Sequence, residues 1–327
     1  MVEFAVVLAV GSSLHQSQLT YSRPRVMLPV LGKPMVVRTM ERLYRAGIHN
    51  FIVVVGEDEG AVASYLNTQW LPDVTIEFMI QPLTSSLTKS LAIIAHNNPE
   101  PFLLTTYNTF THANFPERLL NHHNDNNQCL LLTAAPTSLS KSQPYAFAQI
   151  NDDSVTITNQ YQPDANPSQM VLGNLAICST TFIEYLIHQA ASTGTFTKQL
   201  PDIFQAFAQS GGYVQISETA WLLQIEADYD LLTLNRYLLD DGADTYILSE
   251  LPPSVHVIPP VRIDPHVSVG PGTQLGPRVY LESGCTVGRN SNLTNTMVLQ
   301  NAVVPAGSQI SDAIISTRIR VENPDEP

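Results

Sequence analysis

The sequence predicts an α/β fold in two parts: a doubly wound, mostly parallel sheet, followed by a parallel β-helix. Two patterns carry this reading. Over the first 110 residues, short runs that are apolar on both faces alternate with helix-length segments. From residue 257 an aliphatic side chain recurs every six residues, a period that no α-helical stripe has. Composition agrees, since 44% of the 327 residues are hydrophobic, ample for a core.

The elements follow in order. FAVVLAV at 4–10 reads as a buried strand ended by Gly11. Pro34 suits the first position of a helix whose apolar stripe is Val37, Met40, Leu43 and Tyr44, with Gly47 where a C-cap belongs. Residues 51–55 form a second buried strand. Residues 61–66 read as helix, 75–80 as strand, 87–96 as helix and 102–105 as strand. Further on, 129–133, 145–150 and 154–158 are strand-like, and 182–190 and 199–209 are helical. Residues 213–216 and 221–225 are strands again, and 228–241 is a closing helix. The NHHNDNNQ stretch at 121–128 reads as a solvated polar loop, with His122, His123 and Asp125 serving solubility rather than a metal.

The repeat runs through Val257, Ile263, Val269, Leu275, Leu281, Val287, Leu293 and Leu299, all expected to point inward and stack. Four positions after each come Val261, Val267, Thr273, Val279, Cys285, Ser291, Met297 and Val303, mostly small or β-branched. Gly and Pro turn the corners. The proline-rich LPPSVHVIPP at 251–260 is the natural linker, giving domains 1–250 and 251–327.

Lys plus Arg number 16 against 29 for Asp plus Glu, a formal charge of −13. So acidic a chain is unsuited to nucleic acid or anionic membrane, which need basic surface. Cys129, Cys178 and Cys285 are odd in number, far apart and without zinc spacing, which suits a reducing cytoplasm. The first apolar run lacks the basic flank of a signal peptide, and no stretch approaches a membrane span of roughly 20 apolar residues.

LAVGSSLHQSQLTYSRPRVMLPVLGKPM at 8–35 resembles the opening of the sugar-1-phosphate nucleotidyltransferases: thymidylyl-, uridylyl- and guanylyltransferases acting on glucose or mannose 1-phosphate. In that family a strand enters a Gly-x-Gly-Thr-Arg loop, then a Pro-Lys-x-Leu-x-Pro stretch, then Gly-Lys-Pro and a helix. Leu28–Pro29 and Gly32–Lys33–Pro34 match well, as do ERLYRAGIHNFIVVVG at 41–56, Gln81–Pro82, PFLL at 101–104 and WLLQI…DLLTLN at 221–235. The resemblance implies a Rossmann-like nucleotidyltransferase domain with an appended left-handed hexapeptide-repeat β-helix. In the reaction it implies, a sugar-1-phosphate oxygen attacks a nucleoside triphosphate and expels pyrophosphate. Mg²⁺, held by carboxylates, assists when the enzyme is active.

Carried over residue by residue, the charged parts change. Ser13 replaces the second loop glycine after Gly11, and His15 stands for the catalytic Arg. A mostly neutral His lacks the guanidinium fork. Arg25 replaces the loop Lys. The metal-binding Gly-Asp reads Tyr107–Asn108, and the Glu-Lys-Pro that supplies the sugar-phosphate Lys reads Tyr161–Gln162–Pro163. The second metal Asp aligns with Gln224, or with Leu223 if the gap moves. The neutral positions are aligned with ligand contacts: Ala9, Gly11, Ser13, Gln81 and Ser86 toward the nucleotide, Tyr145 and Asn174 toward the sugar.

Three functions are weighed. The first is an impaired or inactive homologue that binds nucleotide or nucleotide sugar as a regulatory or scaffold subunit. The second is an active nucleotidyltransferase, with Asp58, Asp152, Asp153 or Glu226 supplying the carboxylate and Lys89 or Lys141 the cation. The third is a β-helix acyltransferase using His266. In each case the open ends of a β-helix favour assembly, as a homo-oligomer or with an active relative.

Overall fold

A computed structural model describes residues 2–10, 17–57, 59–70, 73–82, 84–125, 128–137, 146–151, 154–162, 164, 169–190, 199–242 and 245–322. From the N-terminus the elements are β1 (Phe4–Ala9), the short strands β2 (Pro29–Val30) and β3 (Lys33–Pro34), α1 (Met35–Arg45), β4 (Asn50–Gly56) and α2 (Gly60–Gln69). Next come β5 (Thr75–Gln81), α3 (Leu87–Asn97), β6 (Phe102–Thr106), β7 (Thr109–Thr111), α4 (Phe115–Asp125) and β8 (Leu130–Pro136). They are followed by β9 (Phe147–Asn151), β10 (Ser154–Thr158), β11 (Met170–Cys178), α5 (Thr180–Ala190) and α6 (Leu200–Gln209). β12 (Val214–Glu218), β13 (Leu222–Gln224) and α7 (Asp228–Asp240) precede the C-terminal strands. Chain contacts divide these into two compact units: residues 1–11 with 36–224, and 12–35 with 225–327.

In the first unit a nine-stranded sheet runs β10-β9-β11-β6-β1-β4-β5, with β8 attached to β11 and β12 to β8. The half formed by β5, β4, β1 and β6 is parallel, as its two-faced apolar runs require. Val6, Leu8, Val54 and Leu104 pack with Leu91, Phe182 and Phe204 in one cluster, so alternate residues of the same strands serve the opposite face. The other half is mixed, because the long strand β11 enters antiparallel to β6, β8 and β9. That strand, MVLGNLAIC in sequence, is not among those expected from the sequence; Gly173 and Asn174 interrupt its apolar run. The polar stretch at 121–128 is corrected as well. Its first five residues are the last turns of α4, a helix anchored by buried Phe115 and Leu119. Among the described residues no three His, Cys, Asp or Glu side chains come together as a metal cluster. No helix among them is long and apolar enough to cross a membrane.

The second unit holds the parallel strands β14 (His256–Val257), β15 (Val261–Ile263), β16 (Ser268–Val269), β17 (Gln274–Leu275), β18 (Val279–Leu281) and β19 (Thr286–Val287). β20 (Asn292–Val298), β21 (Val303–Val304), β22 (Gln309–Ile315) and the antiparallel closing strand β23 (Arg320–Glu322) complete it. His256 pairs with Gln274 and Gln274 with Asn292, a step of 18 residues per coil of a β-helix. The next coil is one residue shorter: Leu281 pairs with Val298 and Val287 with Val304. The missing residue lies at the corner that Thr294–Asn295 turns, where the coil before uses Gly276, Pro277 and Arg278. The inward series therefore continues at Val298, Val304 and Ile310, not at Leu299. Ala302 takes the buried place expected of Val303, which is 65% exposed. Corners stack at left-handed backbone positions, Gly272, Asn290 and Gly307 in one and His266, Gly284 and Asn301 in another.

One wall of this β-helix is buried on its outer face too. Arg262, Tyr280, Met297 and Ile314 stand in one row, in register on β15, β18, β20 and β22. All four are buried, and α7 packs over β20 and β22. All three cysteines are free and buried. The Cys285 thiol is pushed up to about 12, chiefly by burial and then by the nearby Glu282 and Asp264 charges, so it is inert.

Two tests follow from this packing. Gly276 has φ +110°, and a Cβ there would lie 1.9 Å from the Ile258 carbonyl oxygen, a backbone atom. Gly276→Ala is expected to cost more than ~2 kcal/mol of stability in chemical denaturation, from left-handed strain and the clash together. His123 is 1% exposed, and its Nδ1 has no partner among the described residues. Burial lowers its pKa, disfavouring the charged ring in the fold. Below about pH 6.5 the unfolded chain takes up that proton more readily than the folded one, so stability falls as the pH falls. Between pH 7.5 and 5.5 this contributes at most ~1.4 kcal/mol, and His123→Gln is expected to flatten that part of the stability–pH curve.

Candidate functional site

The parallel half of the sheet builds the site. The chain passes from β1 to β4 and β5 on one side, then returns to β6 on the other. Strand order thus reverses between β1 and β6, and a crevice outside their carboxyl ends is where open α/β sheets bind ligands. Leu8 pairs with Thr106 and Ala9 with Val55, so buried Ala9 ends β1 at this edge. Gln81 ends β5 on the same edge, opposite Gly56.

From β6 the chain turns through Tyr107–Asn108 into β7. The Tyr107 N–H donates to the Leu8 carbonyl at 3.1 Å, and its carbonyl accepts from the Thr39 hydroxyl at 2.8 Å. The hydroxyls of Thr106 and Thr109 bridge the turn at 2.8 Å. β13 returns antiparallel along β7, setting Leu222 opposite Thr111, Leu223 opposite Phe110 and Gln224 opposite Thr109. In this ladder Gln224, not Leu223, stands at the end that carries Asn108. Both amides are buried, at 5% exposure for Asn108 and 8% for Gln224. Arg42 of α1 clamps this ribbon. Its guanidinium lies 5.3 Å from the Phe110 ring centre and 5.8 Å from that of Trp221, and donates to the Thr111 carbonyl.

β11 contributes Asn174 at a fork. Met170 and Val171 pair with β9, residues from Leu175 onward pair with β6, and the register with β8 slips between Leu172 and Ala176. Gly173 fits because a Cβ would lie 2.9 Å from the Leu222 methyls. At the fork no neighbouring strand supplies a ladder partner to the Asn174 side chain. Its buried Oδ1 has no hydrogen-bond partner among the described residues, and neither has the buried Oε1 of Gln81. Buried polar atoms are ordinarily satisfied, so two orphaned acceptors at one edge suit donors from a ligand or ordered water.

The remaining sequence-derived positions divide. Ser86 is buried and caps α3, its Oγ accepting from the Lys89 N–H at 3.2 Å, so a structural role accounts for it. Gln162 is exposed, its backbone N–H bound to Gln169 Oε1 at 2.7 Å. Arg25 belongs to the second unit, buried, with Nη2 donating to the Ile225 and Glu226 carbonyls. Gly11, Ser13, His15, Asp58, Lys141, Tyr145, Asp152 and Asp153 lie outside the described residues. Glu226 is half-buried in the second unit and Lys89 is exposed on α3. His266 is exposed at a corner with φ 63°, doing the work of a turn residue. Arg42 and Gly173 are absent from the sequence-derived set. A lone Gly within a strand signals close approach, whereas Arg42 offers no signal, because its partners meet it only in three dimensions.

Mg²⁺ does not fit the donors found here. A dedicated site for this hard cation is built on carboxylates, and Asn108 and Gln224 bring amide oxygens without charge.

Comparison with known proteins agrees with this architecture. The Nucleotidyl transferase family matches residues 4–222, two-thirds of the chain. The chain belongs to the nucleotidyltransferase family. Residues 257–324 match the GMPPB C-terminal domain. Among relatives, the bifunctional protein GlmU of Exiguobacterium sp. is 24% identical over 342 residues, covering 98% of this chain and 72% of GlmU. The UTP–glucose-1-phosphate uridylyltransferase AglF of Haloferax volcanii is 23% identical over 168 residues, 51% of this chain and 68% of AglF. Among solved structures, UTP-bound UGPase from Acinetobacter baumannii superposes with a TM-score of 0.59 at 14% identity, covering 73% of this chain and 94% of that one. At that identity the likeness is one of fold. Within this nucleotidyltransferase-family chain, β1, β6, β7 and β13, which carry the candidate site, all lie in or at the end of the matched segment.

Proposed function

We propose that this chain is a catalytically impaired or inactive sugar-phosphate nucleotidyltransferase homologue. It binds a nucleotide or nucleotide sugar as a regulatory or scaffold subunit. The observation that carries the reading is the pair Asn108 and Gln224, buried amides brought to one end of the β7–β13 ribbon at the positions where the resemblance expects metal carboxylates. Loss of one preorganised charge contact typically costs ~10²–10³ in rate. Gln81 and Asn174 support retained binding, since their orphaned oxygens suit the N–H of a pyrimidine base and a sugar hydroxyl. The substrate class is taken from the uridylyltransferase and UTP-bound relatives.

In calorimetry, a nucleotide sugar such as UDP-glucose is expected to bind equally with and without Mg²⁺. Gln81→Ala is expected to weaken it about tenfold, the worth of one hydrogen bond. Pyrophosphate release from nucleoside triphosphates and sugar 1-phosphates, with Mg²⁺ or Mn²⁺, is expected to stay near background. Turnover in the usual enzyme range, ~1–10³ s⁻¹, would end the reading.

Under the same proposal the chain works as an assembly, homo-oligomeric or joined to an active relative, with 1–250 as its nucleotidyltransferase-like domain and 251–327 as its β-helix domain. The first rung of the β-helix supports this. Ile247 bridges Ile263, and Tyr246, Ile247 and Leu248 are each at least 50% exposed along that edge. Light scattering on the eluting peak is expected to give a multiple of 36.0 kDa, and a clean monomer would count against self-assembly.

A further inference from the structure

The segment 17–35, read from sequence as part of the nucleotide-binding opening, belongs to the same compact unit as the β-helix. β2 and β3 form a two-residue hairpin whose turn residues, Leu31 and Gly32, both have positive φ (47° and 79°), the twist that tight hairpins prefer. The Gly32 N–H donates to the Tyr280 hydroxyl at 3.0 Å, and that hydroxyl donates to Asp264 Oδ2 at 2.8 Å. Arg262 holds the other carboxylate oxygen through Nε at 2.7 Å. Gly32 has φ +79°, and a Cβ there would lie 2.2 Å from an Arg262 guanidinium nitrogen, so a larger residue would be strained and would displace that guanidinium.

Two further ties repeat the pattern. Arg23 grips Glu282 with both guanidinium nitrogens, at 2.6 and 2.8 Å, while the Gln300 N–H supports the same carboxylate at 2.7 Å. The Tyr21 hydroxyl meets the Thr317 hydroxyl at 2.6 Å, and the Arg318 guanidinium lies 4.4 Å from the Tyr21 ring centre. α7 adds one more, with Asp228 Oδ2 accepting from the Gln18 N–H at 2.8 Å. Residues spread over 17–35 are thus fastened at Tyr280 and Glu282 of one coil, at Thr317 in the turn between β22 and β23, and at Asp228 of α7.

From these ties we propose that the β-helix is a splint for residues 17–35. Its outer wall, through Tyr280 and Glu282, holds the conformation of this segment, so that any ligand or partner that disturbs the wall loosens the segment. The proposal rests on the binding reading only for its consequence at the ligand site. Hydrogen exchange of the unliganded full-length chain, followed by mass spectrometry, tests it without nucleotide and so separates its failure from failure of that reading.

In Tyr280→Phe, which keeps the buried ring and removes the hydroxyl, amides in 17–35 are expected to exchange at least tenfold faster. Those of β20 and β6 should be unchanged. Arg23→Ala reads the same connection from the loop side, leaving Glu282 its Gln300 partner, and is expected to act in the same direction. If Tyr280→Phe unfolds the unit, Arg23→Ala alone decides. Unchanged exchange over 17–35 in the folded variants would overturn the proposal. So would an acceleration shared equally by β20 and β6, which reports general destabilisation.

Discussion

One wall of the β-helix is buried on both faces, and much of the second unit is arranged around that constraint. A coil of this kind ordinarily presents polar side chains outward. Here the outward row on β15, β18, β20 and β22 is Arg262, Tyr280, Met297 and Ile314, all buried. Met297 and Ile314 need an apolar cover, which α7 supplies; Arg262 and Tyr280 need polar partners, which Asp264 and the Gly32 N–H supply. Buried charge is tolerated where its hydrogen bonds are complete. Burial and the adjoining carboxylates hold the Tyr280 hydroxyl well above its ordinary pKa, so it remains a donor at every physiological pH. Such an arrangement contributes orientation rather than net stability, since a well-packed apolar set would hold the wall at least as firmly.

The first unit solves a different problem with its polar groups. Nucleotidyltransfer requires a protein to neutralise a triphosphate and a metal in a preorganised site. The carboxyl edge of the parallel strands keeps the framework for such chemistry in the β1–β6 switch point, the tight turn at Tyr107–Asn108, and the β7–β13 ribbon clamped by Arg42. Among the described residues, Asn108, Gln224, Gln81 and Asn174 bring amides there, which donate and accept hydrogen bonds but neutralise no charge. Orphaned oxygens on Gln81 and Asn174 are costly to leave unmet, commonly by ~1–3 kcal/mol each.

Much of the fold was legible in the sequence, and the misses have physical causes. Two-faced apolar runs announced β1, β4 and β6, because a strand buried on both sides has no polar register to confuse. β11 went unread because Gly173–Asn174 breaks its run, and that break exists for the fork and for the close approach of Leu222. The 121–125 stretch was read as loop from local polarity, whereas Phe115 and Leu119 anchor it as helix from one side. Six-residue periodicity placed the coils as far as Leu293. It could not register a corner shortened by one residue, because Leu299 and Val298 are both aliphatic and only strand pairing selects between them.

The candidate site divides along the same line. By itself the sequence determined the residue types at the positions that the resemblance aligns with the family's charged ones, because chemical identity is local and needs no coordinates. Sequence alone did not show which of Gln224 and Leu223 stands at the Asn108 end of the ribbon; the antiparallel pairing of β13 with β7 did, since a one-residue slip exchanges the faces of a strand. Nor did it reveal that Ser86 caps α3, that Arg42 braces the ribbon, or that the segment 17–35 is tied to the β-helix wall. The brace and the ties are contacts between residues far apart in the chain, and only the tertiary structure brings them within bonding distance.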